Sequence, residues 1–136
     1  MKSDDELRKQ FKITIDDNLV TATFLVEETN PDDNTRTTKL FLEDLEKSAK
    51  SQSNKQFNLL ADLSPIGTGN YVTNESKKLY SQTKAFDNFS RIAVVSKSLI
   101  IKVLVVSIST ITGKFDNVKW FDEKEKAVDW LNKPTS

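Results

Sequence analysis

The chain of 136 residues contains no cysteine and no histidine, and only three glycines and three prolines. Without cysteine, disulfides, thiolate metal sites and thiol nucleophiles are impossible. Without histidine, the chain lacks the commonest general base near neutral pH and the commonest metal ligand. Hydrolases of the Ser-His-Asp type and zinc enzymes are therefore excluded. The sequence shows no catalytic constellation, and we expect neither a metal nor a cofactor.

The chain also lacks an excess of either charge, since twenty basic and twenty acidic side chains cancel. A neutral chain has no electrostatic footprint for nucleic acid, so we expect no nucleic-acid partner. Residues 1–6 are charged and lack the apolar centre of a secretory signal. The longest apolar run, Leu99 to Ile108, is interrupted by Lys102 and Ser107 and is shorter than the roughly twenty residues that span a bilayer. We therefore expect a cytoplasmic protein.

Hydrophobic periodicity predicts strands and helices in the first half of the chain. Alternating and β-branched residues predict two strands at 11–15 and 19–26, joined in a hairpin by turn residues. Turn chemistry predicts a loop at 30–34. Apolar residues at helical spacing then predict an amphipathic helix from Thr38 to Ala49, which the polar residues 51–55 are expected to end. The near-continuous apolar segment 57–63 predicts a central strand that is covered on both faces.

The second half alternates strands with helices. A loop with Gly67 and Gly69 precedes a helix for which Thr73 is the predicted N-cap. A strand at 91–95, a helix around 99–108 and a strand at 118–121 follow, and the last helix is predicted to begin with Asp122 as its cap. The order β-β-α-β-α-β-α-β-α predicts an α/β fold, a mixed sheet of about five strands with four helices. We expect residues 11–133 to form a single domain after a flexible N-terminus, residues 1–10.

Three segments resemble the SpoIIAA-like family and, more distantly, the STAS domain (sulphate transporter and anti-sigma factor antagonist). They are Leu60–Ser64 at the end of the central strand, Arg91–Ser96, and Val118–Leu131. The last of these is similar to the closing strand of the family and its F-D-x-x-x-x-A-x-x-W-L helix. The resemblance spans the chain after residue 10. It implies a STAS-like fold and a small binding module without an established reaction.

One departure from the STAS pattern concerns phosphorylation. In STAS antagonists of anti-sigma factors, a phosphorylatable serine opens the helix after the central strand, behind an acidic residue and before a glycine. The corresponding segment here, Ser64–Thr73, is longer and contains no Asp-Ser-Ser-Gly. Thr73 and Ser76 are the nearest hydroxyls. They are the candidate phosphorylation sites of an alternative function, a regulatory phosphoswitch of anti-sigma-factor-antagonist type.

Parallel sheets bind ligands beyond the carboxyl ends of their strands, where loops and helix N-termini gather. The polar residues predicted at this edge are Ser64, Thr68, Asn70, Thr73, Ser96 and Lys97. Free backbone N–H groups at the helix starts, together with the lysine, would hold an anion there. The alternative is structural, because Ser, Thr and Asn also cap helices and shape turns without binding a ligand.

The predicted helix at 99–108 is apolar around nearly its whole circumference, and such a helix is buried on more than one side. The sheet would cover one side. Self-association, another protein, an apolar ligand or a membrane interface would cover the other, with candidate contacts at Leu99, Ile100, Val103 and Leu104. Two alternatives remain open: a neighbouring helix of the same chain covers this side, or the β-branched run is a strand. If the outer side is exposed, Leu104→Asp should abolish association without unfolding the monomer.

Other candidate sites have simpler explanations. Trp130 and Leu131 share a helical face with Ala127, which favours core packing over an aromatic pocket. Adjacent carboxylates such as Glu27-Glu28 are expected to face solvent, not to hold a metal.

The sequence therefore predicts a non-enzymatic binding module that engages a protein partner or a small apolar, lipid-like ligand. It would use the apolar helix and the loop edge of the sheet, and a dimer would be one form of self-association.

Overall fold

The computed structural model describes residues 1–50, 57–112 and 117–133. Within them the elements are α1 (Asp4–Arg8), β1 (Phe11–Asp16), β2 (Leu19–Phe24), α2 (Pro31–Lys50), β3 (Phe57–Asp62), α3 (Asn74–Gln82), β4 (Phe89–Val95), α4 (Leu99–Thr112), β5 (Val118–Phe121) and α5 (Lys124–Leu131). Single 3₁₀ turns lie at Ser64–Ile66 and Ala85–Asn88. The predicted element order is confirmed, with α1 added before it.

The five strands form one sheet in the order β1-β2-β3-β4-β5. Strands β1 and β2 are an antiparallel hairpin that turns at Asp17, whose φ is 58°, and the other neighbours pair in parallel. The predicted mixed sheet is thus confirmed. From β2 to β5 each strand lies next to the one before it in the chain, and right-handed connections made in one direction place their helices on the same face of a sheet. Helices α2, α3 and α4 therefore lie on one face. Helix α5 packs on the other face.

The central strand β3 is covered on both faces, as its apolar sequence predicts. Leu59 enters the core beneath α2. On the opposite face, Leu60 packs with Ala127 and Leu131 of α5. Asn58 fixes α5 to the sheet, since its Nδ2 donates to the carbonyl oxygen of Leu131 at 3.1 Å. The last helix therefore contributes to the core, as the spacing of its apolar residues indicates.

The N-terminal residues contain helix α1, in contrast to the flexible segment expected for residues 1–10. Ser3 and Glu6 form a capping box, in which the Glu6 N–H donates to Ser3 Oγ at 3.2 Å. Leu7 is completely buried in the main core. Arg8 Nε donates to Asp44 of α2 at 3.0 Å. The cap and the burial of one leucine explain why this segment packs on the domain.

Helix α2 begins at Pro31, within the segment 30–34 that turn chemistry predicts as a loop. Asn30 Oδ1 accepts a hydrogen bond from the Asp33 N–H at 3.0 Å, and proline at the first helical position needs no N–H partner. The loop prediction is therefore wrong, because Asn-Pro starts a helix here. The predicted end of this helix at 51–55 lies outside the described residues.

Residues 99–112 form helix α4, so the helix prediction for 99–108 is confirmed and the strand alternative is wrong. Ser98 caps it, since its Oγ accepts a hydrogen bond from the Ile101 N–H at 3.3 Å.

The N-cap of the last helix, α5, lies one residue after the predicted position. The N-cap is Glu123, and Asp122 instead pairs with Lys126, one turn later, at 3.2 Å.

Candidate functional site

A cavity of about 320 Å³ lies between helix α4 and the sheet. Strands β2 to β5 form its floor with Phe24, Leu59, Ala61, Ile92, Val94 and Val118. Helices α2, α3 and α4 cover it with Phe41, Tyr80, Ile101, Leu104, Val105 and Ile108. Ligand pockets in proteins have volumes of about 300 to 1,000 Å³ and mostly apolar walls. The cavity is therefore at the small end of the range for a ligand site.

Helix α4 carries apolar side chains on two opposite faces. One face lines the cavity and follows the i, i+3, i+4, i+7 spacing of a helical stripe: Ile101, Leu104, Val105 and Ile108. The other face points to solvent, and its four large residues are between 55 and 69% exposed: Leu99, Ile100, Val103 and Val106. The unusual apolar character of this helix thus has two causes, a cavity on one side and an uncovered surface on the other.

The polar side chains that reach the cavity are paired within the protein. Gln10 Nε2 donates to Glu28 Oε1 at 2.9 Å. Thr37 Oγ1 donates to a backbone carbonyl one turn earlier at 2.8 Å. The amide nitrogen of Asn34 donates to the carbonyl oxygens of Glu28 and Tyr71 at 2.9 and 3.2 Å. Because these groups are already satisfied, the deep part of the cavity favours an apolar occupant.

The cavity opens at the carboxyl edge of the sheet, where the lining residues Val26, Glu27 and Asn70 are exposed. The loop after β3 closes over one carboxylate oxygen, Glu27 Oε2, which accepts hydrogen bonds from the N–H groups of Asn70 and Tyr71 at 2.7 and 3.1 Å. A Cβ atom on Gly69 would lie 2.8 Å from this same oxygen. Glycine is therefore what allows the loop to approach the carboxylate so closely.

Glu28, the next residue along, is buried and paired. Burial alone would raise the pKa of its carboxyl, but hydrogen bonds from Lys2, Gln10 and the Asn30 N–H lower that pKa to about 2. The Lys2 Nζ lies 2.8 Å from Glu28 Oε1. Glu28 is thus an ion at neutral pH whose charge is balanced by a lysine from the N-terminal segment.

The two candidate phosphorylation sites belong to a hydroxyl cluster that joins α2 to α3. Thr73 is the N-cap of α3, as predicted, and its Oγ1 accepts from the Ser76 N–H at 3.0 Å. Ser76 is completely buried. Its Oγ donates to Asn34 Oδ1 at 2.9 Å and accepts from Thr38 Oγ1 at 2.9 Å. These bonds have a structural function, because each one satisfies a polar group between two packed helices.

The structure separates the other residues predicted at the loop edge. Asn70 lines the mouth of the cavity, whereas Ser64 and Thr68 are exposed and lie outside the lining. Ser96 is buried and accepts a hydrogen bond from the Ser98 N–H at 3.0 Å, which shapes the loop before α4. Lys97 is exposed. These residues therefore do not converge on one anion site.

The residues predicted on α4 divide between its two faces. Leu99, Ile100 and Val103 lie on the exposed face. Leu104 lies on the other face and lines the cavity. Leu104→Asp, suggested from sequence as a test of association, therefore perturbs the cavity, and the matching residue on the outer face is Val103.

Sequence reasoning missed the floor of the cavity and the α3 side of its wall. Ala61, a small residue on the central strand, and Tyr80 of α3 both line it. Burial raises the pKa of Tyr80, which outweighs the opposite effect of its hydrogen bond to Thr38. The only available signal was the alanine within a strand of large apolar residues. A small side chain at the centre of a sheet leaves space, but the sequence does not say whether another side chain fills it.

The described residues contain neither a metal-ligand cluster nor a membrane-spanning helix. In the ranges 1–50, 57–112 and 117–133, no three Asp or Glu side chains are grouped so that they could hold a metal ion. Over the same ranges, every helix is too short or too polar to cross a bilayer.

The sequence profile of the SpoIIAA-like family matches residues 20–132, from the second strand to the end of the last helix. The chain belongs to the SpoIIAA-like family. The match includes the cavity floor, helix α4 and the loop that closes over Glu27. The SpoIIAA-like assignment agrees with the STAS-type order of strands and helices. No curated protein matches this sequence.

Proposed function

We propose that this SpoIIAA-like domain, over residues 11–133, is a non-enzymatic cytoplasmic module that binds a small apolar molecule between helix α4 and the sheet. STAS-type modules generally bind or regulate other molecules and do not catalyse reactions. The observation that carries the proposal is the apolar cavity beneath residues 101–108, whose polar neighbours are already hydrogen-bonded to one another.

The size of the cavity supports an occupant on energetic grounds. Unfilled apolar space is destabilising, by about 24 cal/mol per Å³ in enclosed protein cavities, so the apolar space under α4 carries a cost when no apolar molecule occupies it. Water is a poor filler, because an apolar cavity offers it few hydrogen bonds. An apolar molecule would recover much of this cost by making the missing contacts.

Helix α4 depends on packing contacts for its stability. It is rich in valine and isoleucine, whose side chains lose rotamer freedom in a helix. Most helical stability in proteins comes from packing of one face, not from propensity. Ile101 is buried, but Leu104, Val105 and Ile108 are only partly covered. A ligand under the helix would supply the packing that these three side chains lack.

The outer face of α4 supports a second contact. Four large apolar residues stand next to one another on this face: Leu99, Ile100, Val103 and Val106. Contiguous apolar patches of this kind mark interaction surfaces. We propose that this face is covered by a second copy of the chain.

Two adjacent substitutions separate the contacts. Leu104→Asp places a carboxylate in the cavity, so it should abolish binding of a neutral apolar probe such as N-phenyl-1-naphthylamine and leave association unchanged. Val103→Asp places the same charge on the outer face, so it should abolish self-association and leave probe binding unchanged. Probe fluorescence measures the first effect and analytical ultracentrifugation the second.

Circular dichroism shows whether each variant keeps its fold, and Ile15→Asp is the control for a charge placed at an exposed apolar site on β1. A wild-type protein that binds no probe would refute the ligand proposal. A monomeric wild type in ultracentrifugation would refute self-association through the outer face.

The phosphoswitch at Thr73 or Ser76 is less well supported. Ser76 is completely buried with three hydroxyl or amide neighbours, so a kinase would reach it only after α3 moved away from α2. The intact mass of protein from its native cells shows whether a phosphorylated form exists, and peptide mass analysis locates the phosphate. A phosphate on Thr73 or Ser76 would favour the phosphoswitch over a simple ligand carrier.

A further inference from the structure

The charges around the cavity have one sign. Among the described residues, the lining includes three carboxylates, those of Glu27, Glu28 and Asp87, and no lysine or arginine. Glu28 is balanced by Lys2. Glu27 stands at the mouth, between the apolar interior and solvent, and forms no ion pair within the described residues. A ligand that enters at this edge therefore meets a negative charge that no lysine or arginine of the described residues pairs with.

The Glu27 carboxylate is held in place at this position. Its Oε2 accepts hydrogen bonds from two consecutive backbone N–H groups, those of Asn70 and Tyr71. The Oε1 oxygen takes no hydrogen bond from the described part of the chain and is available to a ligand. These two hydrogen bonds fix the direction of the carboxylate.

Building on the proposed function, we propose that Glu27 determines which end group the apolar ligand carries. The site favours an apolar tail that ends in a hydrogen-bond donor, either an uncharged hydroxyl or a protonated amine, over a tail that ends in a carboxylate or phosphate. The tail would lie along α4 from Ile101 to Ile108, and the end group would donate a hydrogen bond to Glu27 Oε1.

This preference follows from elementary electrostatics. An anionic end group would lose part of its hydration at the apolar mouth and would stand beside a like charge. A protonated amine would gain the opposite interaction, and a hydroxyl would gain a charge-assisted hydrogen bond. Because Glu27 is exposed, solvent weakens its interaction with the end group. We therefore expect the affinity to change by a factor of about ten when the charge of the end group, or that of residue 27, is changed.

Three molecules with the same tail test the proposal at neutral pH: decan-1-ol, decylamine and decanoate, measured by displacement of N-phenyl-1-naphthylamine. The tail suits the cavity, which has room for roughly ten water-sized groups. We expect decanoate to bind about tenfold or more weakly than decan-1-ol, and decylamine at least as tightly as the alcohol.

Glu27→Gln should raise the affinity for decanoate and lower that for decylamine, each about tenfold. It should lower the affinity for decan-1-ol by a smaller factor, because the charge-assisted hydrogen bond to the hydroxyl becomes a neutral one. The amide oxygen of glutamine can still accept from the two loop N–H groups, so the loop should stay closed. Glu75→Gln is the matched control, because it removes the same charge from an exposed position outside the cavity lining.

The outcomes separate the two proposals. If none of the three molecules displaces the probe, the cavity is not a ligand site and both proposals fail. If all three bind the wild type equally, or decanoate binds best, or Glu27→Gln acts no differently from Glu75→Gln, the role of Glu27 is refuted while apolar binding stands.

Discussion

Replacing Leu104 with tryptophan should stabilise the protein because the larger side chain fills the cavity. The same replacement of a leucine in a packed core would destabilise it. Leu104 projects into the space under α4. A tryptophan is larger than a leucine by roughly 60 Å³, and at about 24 cal/mol per Å³ of cavity removed this gives about 1.4 kcal/mol. Tryptophan has the lower helix propensity by a few tenths of a kcal/mol. Leu104→Trp should therefore raise the free energy of unfolding by about 1 kcal/mol.

Leu45→Trp is the matched control, since Leu45 of α2 is completely buried in the main core. Overpacking a filled core costs about 1 to 3 kcal/mol, so this variant should be less stable than the wild type. Urea unfolding of ligand-free protein, followed by circular dichroism, gives both differences from the midpoints and slopes.

The same variant should lose the probe, because the indole would occupy the space that a ligand needs. A Leu104→Trp protein that is destabilised as much as Leu45→Trp would contradict the argument, since it would mean that no usable space exists beneath the helix. Stabilisation without any loss of probe binding would mean that the probe binds elsewhere.

Three further predictions concern residues around the cavity. Ser76→Ala should lower the free energy of unfolding by about 1 to 3 kcal/mol in urea unfolding, because Asn34 Oδ1 and Thr38 lose a buried partner. Glu28 has a folded-state pKa of about 2 against an ordinary 4.5, so its contribution to stability is complete above that ordinary pKa and is lost as pH falls toward 2. As the pH falls from 4.5 toward 2, the urea midpoint of Glu28→Gln should therefore decrease less than that of the wild type. Gly69→Ala should lower the thermal midpoint, since its Cβ would lie 2.8 Å from Glu27 Oε2 and 3.0 Å from the Ile66 carbonyl oxygen, and Glu27→Ala in the same chain should relieve only the first of these contacts.

The order of the elements was predictable from sequence because hydrophobic period and cap residues act locally. The Thr73 cap and the apolar run at 57–63 identified their elements correctly. The sequence predictions were wrong where one residue pattern occurs in two kinds of local structure. Asn30-Pro31 is common both in turns and at helix starts, and Ser3-x-x-Glu6 begins a short helix whose Leu7 is buried in the core.

The candidate site was predictable only in part. The all-round apolar character of α4 showed that more than the sheet must border it, and it has an uncovered outer face. Sequence did not show that its inner face borders a cavity. A cavity depends on how far side chains from four strands and three helices fall short of one another, which no local pattern encodes. The position of Glu27 likewise depends on a loop more than forty residues further along the chain.

Titration calorimetry of the ligand-free protein with decan-1-ol, at several temperatures, tests the existence of an apolar site under α4 most directly. We predict one molecule bound per chain with a negative heat-capacity change, the mark of buried apolar surface, and no binding to Leu104→Trp. The absence of binding to the wild type, or equal binding to both proteins, would contradict the account.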